Sequence, residues 1–212
     1  MHYTKQEIEE MDRVKRLKMI NAVSGIKPAN LIGTIDDQGK TNVAIFSSVV
    51  HLGSDPALLG FIMRPVGDVP RHTYENIKEN RQYTINHIHR FFVKNAHYTS
   101  TKLDRNDSEF KHCGLTEEYI SDFRAPFVKE SSLKLGLEFV EEIHIRRNGT
   151  ILIIGEINHL ILPNHIVKEN LELDLSINET VGISGLNSYY ALEKIAEYPY
   201  ARAHEMPDFS SK

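Results

Sequence analysis

Apolar and polar positions alternate along much of this chain, and strict alternation marks half-buried strands. The clearest case lies in the last third. Leu133, Leu135, Leu137, Phe139, Ile143 and Ile145 all occupy odd positions, which predicts one long strand with one inward face. Asn148-Gly149 then signals a type I′ hairpin. Residues 150–162 return with Ile151, Ile153, Ile157 and Ile161 in the same parity. Upstream, residues 30–35 and 41–50 flank a turn at Asp36-Asp-Gln-Gly39. On the second of these strands Val43, Ile45 and Ser47 point one way, and Asn42, Ala44, Phe46 and Ser48 the other. A turn at Ser54-Asp-Pro56 leads into residues 57–63, a near-continuous apolar strand expected to be buried on both faces. Residues 82–88 form a further strand.

Helical signals are fewer. Thr4-Lys-Gln-Glu7 fits a capping box, and Ile8, Met11, Val14 and Leu17 follow at helical spacing. This predicts a short amphipathic helix to about Leu17 that covers the sheet or a partner subunit. Residues 73–80 read as a helix with Thr73 as N-cap and Asn76 in the first turn. Residues 91–103 read as helix, 106–115 as a polar connection and 116–122 as a helical turn. Residues 189–198 can be helical, and the tail after Ala201 is extended. About six antiparallel strands joined by hairpins, with no βαβ alternation, define a mainly β fold with flanking helices. A closed or partly closed β-barrel is the expected solution, because closure removes exposed edges.

Composition narrows the classes. At 212 residues a single domain is expected, with a core over about residues 24–190 and terminal additions. The net charge is −4, from 25 basic and 29 acidic residues without long blocks, which argues against a DNA or RNA binder. The single cysteine, Cys113, cannot make an intrachain disulfide. No signal peptide or membrane span is visible, so a cytoplasmic, soluble protein is expected.

The chemistry concentrates between Thr41 and Asn80. Arg64 and Arg71 flank a Pro/Gly loop before the helix at Thr73, an arrangement suited to a phosphate. Both can equally be solvated loop residues. Ser47 and Ser48 end a strand, where hydroxyls contact a ligand or satisfy local backbone. Asn42 and Asn86 sit on strands that disfavour Asn, which invites a ligand contact or a bulge. His87 and His89 share a strand face, as in metal-binding barrels, but no further ligand set accompanies them. His97-Tyr-Thr-Ser100-Thr101 can face a ligand or be ordinary helix surface. No GxSxG, GxGxxG or P-loop occurs.

In order and spacing these segments resemble the flavin reductase-like family of FMN-binding split barrels. The resemblance runs from about Ser24 to Tyr190. It rests on Ile26-Lys-Pro28, Asn42-Val-Ala-Ile-Phe-Ser47-Ser48, Asp55-Pro56, Thr73-Tyr-Glu-Asn76-Ile77, Tyr83-Thr-Ile-Asn86, Thr99-Ser100, Glu109-Phe110 and Gly114-Leu115. It implies FMN bound non-covalently near a homodimer interface. It also implies NAD(P)H as hydride donor, with an oxygenase partner in some members. By carry-over, Ile45, Phe46, Ser47 and Ser48 would face the isoalloxazine and ribityl chain. Arg64, Arg71, Thr73, Ser100 and Thr101 would lie near the phosphate, and Asn42 and Asn86 near the flavin. No catalytic side chain and no metal are implied. The chain departs from the family where Arg71-His72-Thr73 replaces a common Lys-Asp-Thr, and where Lys27-Pro28 replaces Arg-Pro.

Overall fold

The structure is a computed structural model that describes residues 1–67 and 69–209. Asp68, in the expected 64–71 loop, and residues 210–212 of the tail lie outside it. The elements run α1 (Lys5–Glu10), α2 (Arg13–Ala22), β1 (Lys27–Pro28), β2 (Asn30–Ile35), β3 (Thr41–Phe46), β4 (Val50–Ser54) and β5 (Ala57–Met63). They continue with α3 (His72–Asn80), β6 (Gln82–His87), α4 (Val93–Tyr98), α5 (Glu109–His112), β7 (Glu117–Glu118) and β8 (Phe127–Val128). The last strands are β9 (Lys134–Ile145), β10 (Thr150–Ile161), β11 (Val181–Ser184) and β12 (Ser188–Ala191). No helix among the described residues is long and apolar enough to cross a membrane.

Seven strands form the main antiparallel sheet in the order β3-β2-β6-β9-β10-β5-β4. Its two edges, β3 and β4, are consecutive in sequence and joined only by Ser47, Ser48 and Val49. Flat, such a sheet would hold its edges about 29 Å apart. Four Cα steps from Phe46 to Val50 span at most about 14 Å. The sheet must therefore curl until its edges approach. Phe46 accordingly meets Phe61 of β5 edge-on, with ring centroids 5.0 Å apart. Ser48 Oγ accepts the Ile62 N–H at 3.0 Å. β3 and β4 nevertheless do not pair, so the expected closed barrel is corrected to a curled, open sheet.

The concave side holds one core, built from Ile32, Phe61, Tyr83, Ile85, Leu137 and Ile153, with Ile77 of α3 plugging one end. The convex side holds a second, where Leu31 and Val43 meet Phe92, Ala96 and Phe110. Adjacent β2 residues Leu31 and Ile32 thus enter different cores, as the period-2 pleat requires.

Several local expectations change for identifiable reasons. The parity of β9 holds only to Phe139, because Gly155 pairs with Phe139 and Ile154 with Glu141. Val140 is the extra residue of a bulge, which reverses the facing of everything after it. Ile143 and Ile145 are therefore exposed, while Glu142 turns toward α3 and accepts from the Tyr74 hydroxyl at 3.2 Å. The β9–β10 connection has four residues, and of Asn148 and Gly149 only Gly149 has positive φ, so the turn is not type I′. Outer-face residues of β5 are only half-buried, since no layer covers them.

The first helix ends at Glu10, and Asp12 caps a second through the N–H groups of Val14 and Lys15. The capping box at Thr4 and Glu7 is present. α3 begins at His72, so Thr73 lies within its first turn rather than at the cap. The expected 91–103 helix is a short 3₁₀ turn at Arg90–Phe92 followed by α4. The 106–115 connection contains α5. Residues 117–118 form β7, paired with β8, instead of a helical turn. Residues 188–191 form β12, and no α-helix follows among the described residues.

Glycine matters most at Gly33. A Cβ there would stand 2.3 Å from Pro126 O and 2.6 Å from Thr84 Oγ1. Gly33→Ala is expected to cost about 2–3 kcal/mol through overpacking, read as a lower urea midpoint with unchanged m-value.

Candidate functional site at the open edge of the sheet

The polar residues of the 41–80 stretch divide into two groups. The first is consumed by the fold. Asn42 is buried on β3, and its Nδ2 donates to Thr73 Oγ1 at 3.0 Å and to Thr34 Oγ1 at 3.3 Å. Asn76 donates to the same Thr34 oxygen at 3.1 Å. Thr73 is therefore a buried acceptor that fastens α3 to β3. Arg105 closes this network, lying 3.3 Å from Asn76 Oδ1 and 3.4 Å from Asp36, and pairing with Glu75. Burial pushes the Asp36 carboxyl up, but the N–H groups of Lys40 and Gln38 and the Arg105 charge outweigh it and hold it below its ordinary value.

Asn86 is fully buried on β6. It donates to Thr84 Oγ1 at 2.9 Å and Leu31 O at 3.2 Å, and accepts from the Val128 N–H at 2.9 Å. It bolts the β7–β8 ribbon onto the sheet. The polar strand asparagines are thus satisfied by the fold, and no bulge is needed at either.

The second group faces outward. β3 is an edge strand. The buried carboxylate of Glu109 on α5 accepts from the Val43 N–H. Burial raises the Glu109 pKa, and this N–H opposes the rise. In an antiparallel ladder the backbone groups of alternate residues point to the same side. Ile45 and Ser47 therefore turn their N–H and C=O groups to the edge that Val43 uses, beyond the reach of β2. Ser47 is half-buried, and its hydroxyl makes no hydrogen bond among the described residues. Ser48 is tied to Ile62, only two residues before Arg64. The crossing thus brings the open edge close to the arginine loop. Phe46 points to the concave core, whereas Ile45 packs against the convex one.

Arg64 is exposed and has no polar partner among the described residues. Arg71 folds back, its Nε donating to Pro65 O at 3.3 Å and its N–H to Glu75 Oε1 at 3.2 Å. Glu75 thereby occupies part of the positive end of α3. Ser100 Oγ donates to His97 O at 2.8 Å, while Thr101 beside it is exposed with no side-chain hydrogen bond among the described residues. Both follow α4, which packs on β3.

His87 and His89 do not form a metal set with other residues. Among the described residues no group of three or more His, Cys, Asp or Glu could hold a metal ion. His87 Nδ1 is buried without a partner, and burial lowers its pKa to about 4. His89 Nε2 lies 3.5 Å from Glu179. Sequence reasoning named Glu109 only within the Glu109-Phe110 motif, without a role at the site, and did not name Arg105; the two stand behind the β3 edge. Arg105, flanked by Asp104 and Asn106, carried no local signal that set it apart from a solvated loop residue.

Comparison with known proteins gives the family. Residues 26–175 match the flavin reductase like domain, and the chain belongs to that family. A candidate flavin reductase with a split barrel domain from Shewanella frigidimarina NCIMB 400 is similar at 48% identity and TM-score 0.91, covering 95% of this chain and 100% of that one. Nitrilotriacetate monooxygenase component B from Bacillus cereus shares the fold at 16% identity and TM-score 0.82, covering 93% and 98%. Flavoredoxin of Desulfovibrio vulgaris (Miyazaki F) does so at 22% identity and TM-score 0.71, covering 83% and 92%.

Two stability predictions follow from the buried groups. Asn86→Ala strands the Val128 N–H and should cost about 2–4 kcal/mol by chemical denaturation. His87 has a folded pKa below its unfolded value, so the native state binds fewer protons between about pH 4 and 6.5. Stability should therefore fall by up to about 3 kcal/mol as pH drops through that window. His87→Gln should flatten the pH dependence of the urea midpoint.

Proposed function

We propose that this chain is an FMN-binding oxidoreductase of the split-barrel type that passes hydride from NAD(P)H to flavin. The observation that supports it most is the open β3 edge at Ile45 and Ser47, beside the crossing that leads to Arg64, in a chain of the flavin reductase-like family. The residues present fit FMN. A flavin pyrimidine ring needs donors and acceptors in alternation, and an exposed strand edge offers both. A ribityl chain needs hydroxyl partners, which Ser47 and Thr101 can supply. A phosphate needs cations, and Arg64 and Arg71 lie on the adjoining loop.

The binding set is accordingly the main chain at Ile45 and Ser47, the side chains of Ser47, Arg64, Arg71 and Thr101, and the Ser100 region. Phe46, Ser48, Asn42, Thr73 and Asn86 hold these groups in place. When bound, FMN would supply the redox chemistry by accepting a hydride from the nicotinamide. The protein's share is orientation. N–H groups on the β3 edge would face the part of the ring that gains electron density, and the curled sheet behind them excludes water from one side. No acid–base side chain is required for hydride transfer, so no catalytic residue is assigned.

The reading carries partner expectations from the family resemblance: a homodimer with flavin near its interface, and an oxygenase that consumes reduced flavin. A second reading is an FMN-binding electron carrier that does not oxidise NAD(P)H. The fold shared with a flavoredoxin accommodates it equally.

Purified protein titrated with FMN is expected to show a bound-flavin absorbance spectrum; a spectrum identical to free FMN would end this reading. Arg64→Ala with Arg71→Ala should weaken FMN binding by about tenfold or more, the scale of lost charge-assisted hydrogen bonds. Stopped-flow mixing of the holoprotein with NADH and with NADPH should bleach the flavin. Bleaching by dithionite alone would select the carrier.

A further inference from the structure

A groove of about 470 Å³ opens between α4 and the small β1-β11-β12 sheet. That volume suits a small molecule. One wall is the Arg90–Phe92 turn with α4, and the other is Asn187 with Tyr189 of β12. The groove shares no residue with the proposed flavin-binding set.

The first wall is an aromatic platform. Phe91, Lys94 and Tyr98 follow at spacings of three and four, which aligns them along one side of a helical segment. Phe91 is 67% exposed, although His89 packs 4.4 Å from its ring and Phe92 5.3 Å. Those neighbours fix the plane of the ring and leave its outer side bare. Tyr98 is 57% exposed, with the His97 ring set edge-on at 5.5 Å. Bare aromatic faces held in place are stacking surfaces for a planar ring.

The charges of the groove favour an anion. None of its lining residues is Asp or Glu. Lys94 has no ion-pair partner among the described residues. Arg90 stands beside it, its charge partly compensated by Glu179 at 3.0 Å. His97 adds a donor. Its Nδ1 lies 3.0 Å from the Tyr189 hydroxyl. Burial pushes the Tyr189 phenol up to about 12, so the phenol keeps its proton and donates it to the more basic imidazole nitrogen. Nε2 then carries the ring proton, and it makes no hydrogen bond among the described residues. An ammonium and an imidazole N–H beside bare rings call for a negative group on a flat apolar body.

We propose that this groove is a second ligand site, for a planar aromatic anion: the ring lies on Phe91 and Tyr98, and the anionic group meets Lys94 and His97 Nε2. The phosphate of a mononucleotide and the carboxylate of an aromatic acid share that chemistry. The site does not use the β3 edge, so it stands or falls apart from the proposed activity.

Flavin-free protein titrated with AMP and, separately, with naphthoate tests it, followed by saturation-transfer and amide NMR. At least one probe is expected to bind, with saturable shifts at the backbone amides of Lys94, Tyr98 and Asn187. AMP alone selects the nucleotide, naphthoate alone the aromatic acid, and binding of both shows that the groove takes either; each result supports the site. Adenosine and naphthamide keep the ring and lose the charge, and should bind at least about tenfold more weakly. Lys94→Glu should weaken the anionic probe by at least about tenfold and leave its uncharged analogue unchanged, whereas Tyr98→Ser should weaken both. Both side chains are exposed, and amide spectra unchanged away from the groove show that the variants fold. One equivalent of FMN should leave the probe in place. Failure of both probes to bind, equal affinity for charged and uncharged analogues, binding indifferent to Lys94→Glu, or displacement by one equivalent of FMN would each overturn the proposal.

Discussion

The short crossing from β3 to β4 governs the rest of the molecule. Five strands separate the two edges that it joins, yet only three residues are available to join them. No flat sheet satisfies that constraint, so the sheet curls around the Phe61, Tyr83 and Ile153 core. The same crossing prevents closure, because Ser48 is bonded to Ile62 rather than continuing a ladder. An edge is therefore left open, and it lies next to the arginine loop. The candidate site is a consequence of how the sheet fails to close.

Polar side chains near that edge have two kinds of work. Asn42, Thr73 and Asn76 form a buried network that seats α3 on the sheet, with the exposed Arg105 bonded to it from outside. Asn86 does the same for the β7–β8 ribbon. Each is rigid because leaving any member unpaired inside the protein costs about 1–3 kcal/mol. Glu109 covers the edge at Val43 and stops there. What remains outward is backbone at Ile45 and Ser47, flanked by hydroxyls and guanidinium groups. In the proposed reading, a site made largely of main-chain groups would suit the planar flavin, which would supply the redox chemistry itself.

The two chain ends complete a different surface. The N-terminal helices have good caps but no buried face, and the C-terminal arm has aromatics without a core. Local signals thus made elements that the protomer does not itself cover. The end of α2 approaches the small β1-β11-β12 sheet at Gly185, and the C-terminal arm leaves from β12 of that sheet.

The sequence by itself determined the elements whose causes are local. Alternation placed β3, β9 and β10, a continuous apolar run placed β5, and Thr4 with Glu7 marked the first helix start, because pleat and capping act over a few residues. The order of motifs carried the family. Tertiary structure decided what depends on distant neighbours. The Val140 bulge reversed the parity of Ile143 and Ile145, and only the β10 partner reveals it. The roles of Asn42 and Asn86 could not be read locally, since their partners lie up to 55 residues away. The stretch from Thr41 to Asn80 was legible as chemically important. Which of its polar groups serve the fold was decided by the sheet's curl, which turns some inward as struts and leaves the backbone of one edge in the open.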